Sequence, residues 1–289
     1  MRGRSEKRIA AGIPGVALGL ALGFAAQARA DDAPEAPPPA LKVGVLELVD
    51  FWRNTEGGVS VGGETESKLR VSATLDGDGA GLPGFKAHVQ IFATNGQSLS
   101  LARVGDLQTV SNIDAPTSVR LFDLWAQQAF GKDLTLRAGL MDLNLDFDNI
   151  APAALFIDSS HGIGPDISKS GLTGPSIFPV SSLGAEGFWQ ARPKLMLRAG
   201  VFDGVPGDPD HPGAFAAVKL SARDGAMVIG QADLDLGGGA QASLGVCGYT
   251  GRLSQIDPLN PPAHGQGGVY GFIYGPLPIG KDWSGWEET

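Results

Sequence analysis

Residues 134–142 (LTLRAGLMD) are written a second time at 195–203 (LMLRAGVFD). In both copies the apolar side chains share one parity: Leu134, Leu136, Ala138 and Leu140, then Leu195, Leu197, Ala199 and Val201. Alternation of this kind puts successive side chains on opposite faces, so each copy reads as a β-strand with one apolar face. The other face carries Thr135, Arg137 and Gly139 in the first copy, and Met196, Arg198 and Gly200 in the second. Each copy is also the second arm of a hairpin. Residues 119–130 lead into the first across Gly131-Lys132-Asp133, and 183–191 into the second across Arg192-Pro193-Lys194. Turns that short force antiparallel neighbours.

After each second arm the chain makes a longer excursion, over 143–182 and then over 204 to about 225. Short turns at one end and long loops at the other are the pattern of an antiparallel outer-membrane β-barrel. The remaining segments follow suit. In 65–75, Leu69, Val71, Ala73 and Leu75 alternate with Glu66, Lys68, Arg70, Ser72 and Thr74. In 85–94, Phe85, Ala87, Val89 and Ile91 alternate with Lys86, His88, Gln90 and Thr94. Further strands are expected at 41–54, where the parity is mixed, and at 226–236, 241–251 and 268–275. The total is about ten, provided 215–223 (FAAVKLSAR) belongs to an outer loop. An Arg or Lys facing lipid costs about 2–4 kcal/mol at the bilayer midplane, so Lys68, Arg70, Arg137 and Arg198 should point inward. A soluble sandwich would alternate in the same way. The small outward residues, the one-sided long loops and the lack of core-sized aliphatic clusters favour the barrel.

Composition narrows the function. The chain has 289 residues and a net charge of -9, which disfavours nucleic acid as a partner. A single cysteine, Cys247, leaves no intrachain disulfide and reads as an inert packing residue. Residues 1–30 read as a cleavable export signal: Arg2, Arg4, Lys7 and Arg8, an apolar run over 10–26, then Ala28-Arg29-Ala30. A Pro-rich linker follows at 31–41, and the β-domain occupies 42–289. After Ala30 no apolar run reaches the roughly 18 residues a spanning helix needs.

The string 98–116 (SLSLARVGDLQTVSNIDAP), followed by RLFDLW, LTLRAG, LFIDSS at 155–160 and LRAGVFDG, resembles the carbohydrate-selective porins of the OprB type. The likeness runs from about residue 69 to 251. It implies a bacterial outer-membrane barrel of about sixteen strands. Such a barrel passes monosaccharides and other small sugars passively, without catalysis. Two departures stand out: about ten strands instead of sixteen, and an ending, PIGKDWSGWEET, without an aromatic-terminated last strand. The expectation is a chain lacking its last third, since bare strand edges in lipid leave backbone groups unsatisfied.

A sugar asks for flat aromatic faces and for polar groups that meet its hydroxyls. With Phe122, Leu124 and Ala126 facing lipid, Asp123, Trp125 and Gln127 fall on one inward face as acid, aromatic and amide. Packing under a loop is the plainer role for Trp125. Arg137 and Arg198 sit on corresponding strands and are expected to face Asp123 and Glu186, either as wall-ordering pairs or as donors to sugar. The resemblance makes Arg103, Asp106, Gln108 and Asn112 candidates for the constriction, or else for pinning the loop to the wall. No metal or cofactor site is expected. GAGLPG at 79–84 opens no helix. The run from Asp142 has Phe147 and Ala153 where a calcium loop needs Gly and Glu. The Ser and His of 158–161 lack a nucleophile elbow. The expected partners are small sugars and outer-membrane lipid, with room for a homo-oligomer. The alternatives are a lipase-like outer-membrane enzyme barrel, which needs a Ser/His pair at the outer rim, and a secreted, soluble carbohydrate-binding β-sandwich.

Overall fold

The computed structural model describes residues 40–253, 259 and 261–276. The export signal, all but the end of the linker, and the closing segment 277–289 lie outside the described residues. The first strands are β1 (Leu41–Asn54), β2 (Gly62–Asp76), β3 (Phe85–Gly96), β4 (Ser118–Phe130) and β5 (Leu134–Met141). They continue with β6 (Ser182–Arg192), β7 (Leu195–Asp203), β8 (Ala226–Gly237) and β9 (Ala240–Tyr249). Two short strands, β10 (Arg252–Leu253) and β11 (Ala263–His264), pair with each other before β12 (Gly267–Tyr274). β1 to β9 and then β12 form one ten-stranded sheet in sequence order, antiparallel throughout. Among the described residues the sheet is open, with β1 and β12 as its edges.

The connections alternate in length. Residues 77–84, 131–133, 193–194 and 238–239 turn at one end. The long loops 97–117, 142–181 and 204–225 lie at the other, together with the shorter 55–61. Residues 215–223 stay in a loop without strand structure, as the strand count requires. Outward positions such as Leu124, Leu136, Val201, Val228, Leu244 and Ile273 are exposed, in keeping with an apolar outer face. The mixed parity of β1 has a structural counterpart. Its Val43, Val45, Leu46, Leu48 and Val49 are all exposed, because β1 is an edge strand and the loop 97–117 meets it toward its end, at Asp50 and Asn54.

Two expectations need correction. Phe122 does not face outward. The β3–β4 register steps from Gln90↔Asp123 to Ile91↔Leu121, so Phe122 is the extra residue of a bulge. Phe122 and Asp123 therefore both turn inward, 3% and 1% exposed, and the Phe122 ring lies 5.3 Å from Phe92 and 6.1 Å from Phe178. The chain also has a core-sized apolar cluster. Leu143, Phe147, Ile163 and Ile167 of the loop 142–181 pack against Phe202, Met227, Ile229, Tyr249 and Tyr270 on the inward face of β7–β9 and β12. The loop, not water, covers this half of the wall. Full burial of each such side chain is worth about 1.5–3 kcal/mol. Room for the rings comes from small neighbours: Tyr270 lies flat over its cross-strand partner Gly245, where a Cβ would fall 2.1 Å from Cζ.

Candidate functional site

Strand register carries inward polar and aromatic side chains into a continuous belt. Thr74, His88 and Trp125 are cross-strand neighbours on β2, β3 and β4. Oγ1 of Thr74 lies 2.8 Å from Nδ1 of His88, and the His88 and Trp125 rings stack at 5.2 Å and 23°. One register step along, Gln127, Arg137 and Glu186 meet across β4, β5 and β6. The Arg137 guanidinium sits 4.5 Å from the Trp125 ring centroid and 5.0 Å from that of Phe188. Its Nη1 donates to Asp146 at 2.5 Å and Glu186 at 3.2 Å, while Nε and Nη2 donate to Oε1 of Gln127 at 3.2 Å. A cation against two ring faces and between two carboxylates is held by cation–π and charge-assisted bonds together.

Arg198 continues the belt. Its Nε pairs with Oδ2 of Asp233 at 2.7 Å, and its Nη1 donates to the backbone carbonyl of Asp146 at 2.7 Å. Oδ1 of Asp233 accepts from Gln231 at 2.7 Å and Ser243 at 2.6 Å. Oε1 of Gln231 accepts from the Tyr270 hydroxyl at 2.6 Å and from the backbone N–H of Asp148 at 3.1 Å.

The arginines do not pair with Asp123, contrary to expectation. That carboxylate lies under the loop and accepts the backbone N–H of Asp142 at 3.1 Å. Burial, with the Asp123 charge alongside, pushes the Asp142 carboxyl up to about 7 against the opposing pull of the Asn144 N–H and the Lys68 ammonium. The other candidates divide. Arg103 donates to Glu64 at 2.8 Å and Ser60 at 3.1 Å, and its carbonyl accepts from the N–H of Val59 and Ser60, which pins the loop 97–117 to the β1–β2 end of the wall. Asp106 accepts from Ser100 within the same loop. Gln108 and Asn112 instead line a cleft of about 530 Å³ between the loops 97–117 and 142–181, with Lys68, Asp142, Asn144 and Phe178. The Lys68 ammonium stands 3.6 Å above the Phe178 ring.

Trp125, Gln127, Arg137 and Glu186 thus form one patch, Arg198 joins it through Asp146, and a second group faces the cleft. Residues 62–267 match the family model of the carbohydrate-selective porin, OprB family. The chain belongs to that family. The carbohydrate-selective porin match spans every expected site residue, from Arg103 to Arg198. The fold agrees with the solved high-pH structure of Pseudomonas putida OprB at a TM-score of 0.68 and 18% identity, over 81% of this chain and 61% of that one. The chain therefore spans about 61% of the length of that porin. The low-pH structure of the same protein aligns with a TM-score of 0.38 and 11% identity, over 81% of this chain and 63% of that one. No curated protein matches the chain.

Asp146, Gln231, Asp233, His88 and Phe188 were missing from the sequence-based candidates. The alternation read over 85–94 sets His88 on the polar face, and the shared parity of Gln231 and Asp233 in β8 is the signal that could have found them. Asp146 carried no such signal, since a loop residue has no parity.

Proposed function

We propose that the protein, or the longer protein of which it is part, is an outer-membrane channel for passive diffusion of monosaccharides and other small sugars. The observation that carries this reading is the patch of Trp125, Gln127, Arg137 and Glu186 on the inward face. Gln127 and Arg137 are half-buried on this face, and amide and guanidinium suit sugar hydroxyls, while the Trp125 ring between His88 and Arg137 and the buried Glu186 hold them in place. Gln108 and Asn112 extend the same chemistry into the cleft between the loops. Selection then comes from many weak contacts along a wet wall, with no bond made or broken. Residues 1–30 direct export and are removed, and the exposed apolar outer face meets lipid.

Solute flux into liposomes tests the reading. Small sugars should enter faster than uncharged non-sugar solutes of equal size, and Arg137→Ala should reduce that preference several-fold. Equal entry of sugars and non-sugar solutes would sink it.

A further inference from the structure

The loop segment 146–148 meets the wall through side chains of three different strands. Arg137 on β5 holds the Asp146 carboxylate at 2.5 Å, Arg198 on β7 holds its carbonyl at 2.7 Å, and Gln231 on β8 accepts the Asp148 N–H at 3.1 Å. Between them Phe147 is fully buried, with its ring 3.2 Å from where a Cβ on Gly200 would sit and edge-on to Phe202 at 6.5 Å. The two arginines of the repeated LRAG motif therefore serve one residue.

We propose that Asp146 is a positioning residue, a latch that fixes the in-folded loop 142–181 at one height on the wall and so sets the width of the cleft above it. The repeat is then a two-point clamp for the loop: Arg137 grips the side chain and Arg198 the backbone. The geometry stands apart from any permeant. Its consequence, sugar selectivity, rests on the channel reading above.

Hydrogen exchange on the full chain refolded in detergent tests the latch directly. Asp146→Ala should speed exchange of the 143–148 amides by about ten- to hundredfold, as expected for losing a charge-assisted bond in a local opening, while β5 to β8 stay protected. Asp146→Asn keeps an acceptor oxygen toward Arg137 and should restore most of the protection. Unchanged exchange in Asp146→Ala would overturn the latch. In planar bilayers, Asp146→Ala should raise small-ion conductance and weaken block of that current by sugar, again recovered by Asp146→Asn. Loss of sugar block at unchanged conductance would make Asp146 a sugar contact instead and overturn the positioning role. Protected wild-type amides that become labile in Asp146→Ala, in a channel that no sugar blocks, would support the latch and sink the sugar reading alone.

Discussion

The two copies of the LRAG motif share a sequence but do different work. In the first, Arg137 is enclosed: two ring faces flank it, and two carboxylates and an amide take its N–H groups. In the second, Arg198 has one carboxylate partner and one carbonyl and is more open, with 25% of its side chain exposed against 14% for Arg137. The glycines two residues on differ as well. Gly139 has φ +147° and sits so close to β4 that a Cβ would lie 2.2 Å from the Leu124 carbonyl oxygen. A Cβ on Gly200 would meet only rings, at 2.8 Å from Phe202 and 3.2 Å from Phe147. The motif secures the strand and its inward cation, and the strands on either side decide the use of both.

The arginines should separate the copies most widely. Arg137→Ala leaves the fully buried Glu186 carboxylate without its cation and should cost about 3–5 kcal/mol. Arg198→Ala removes a more exposed pair and should cost about 1.5–3 kcal/mol. Urea unfolding of the detergent-refolded chain measures both, and equal losses would erase the distinction. The glycines come next. Gly139→Ala drives a methyl into backbone at a φ that side chains disfavour, and about 3 kcal/mol is expected. At Gly200 the ring of Phe202 can give way, so Gly200→Ala should cost about 1 kcal/mol by the same measurement. A larger loss at Gly200 would mean that the Phe147 slot, not the β4–β5 contact, is the tighter of the two.

Much of this was open to the sequence. Period-two parity and turn length suffice for ten strands, their order and the alternation of turns and loops, because each rests on neighbouring residues. What escaped depends on contacts far along the chain. The bulge at Phe122 adds one residue to β4 against β3; its trace in β4 is the change of apolar parity from Val119 and Leu121 to Phe122 and Leu124, which a reading in a single phase passes over. The inner apolar cluster did leave a trace. Met227, Val228 and Ile229 are consecutive apolar residues at the long-loop end of β8, where one wet face and one lipid face would have alternated. Such a run says that both faces are covered, but not by what. The Asp146 latch left none, since its partners lie on strands 9 and 52 residues away.

The smallest expected difference lies at the last residue of each copy. Asp142 follows β5 and is held beneath the loop, its carboxylate accepting the Asn144 N–H at 2.9 Å. Asp203 ends β7 and accepts the Val205 N–H at 3.4 Å. Burial raises the Asp142 carboxyl from its ordinary 3.8 to about 7, so the folded loop favours the neutral form. Its contribution is complete below pH 3.8 and drains away as pH rises through about 7. Lys68, on the cleft wall, offsets part of the charge that appears there. Exchange of the 142–148 amides, corrected for the intrinsic rate, should therefore be a few-fold faster at pH 8 than at pH 5. Asp142→Asn stays neutral at both values and can still accept the Asn144 N–H, so it should flatten the dependence. Asp203→Asn, in the other copy, should leave it in place. A pH dependence that survives Asp142→Asn would move its origin to another group on the cleft wall.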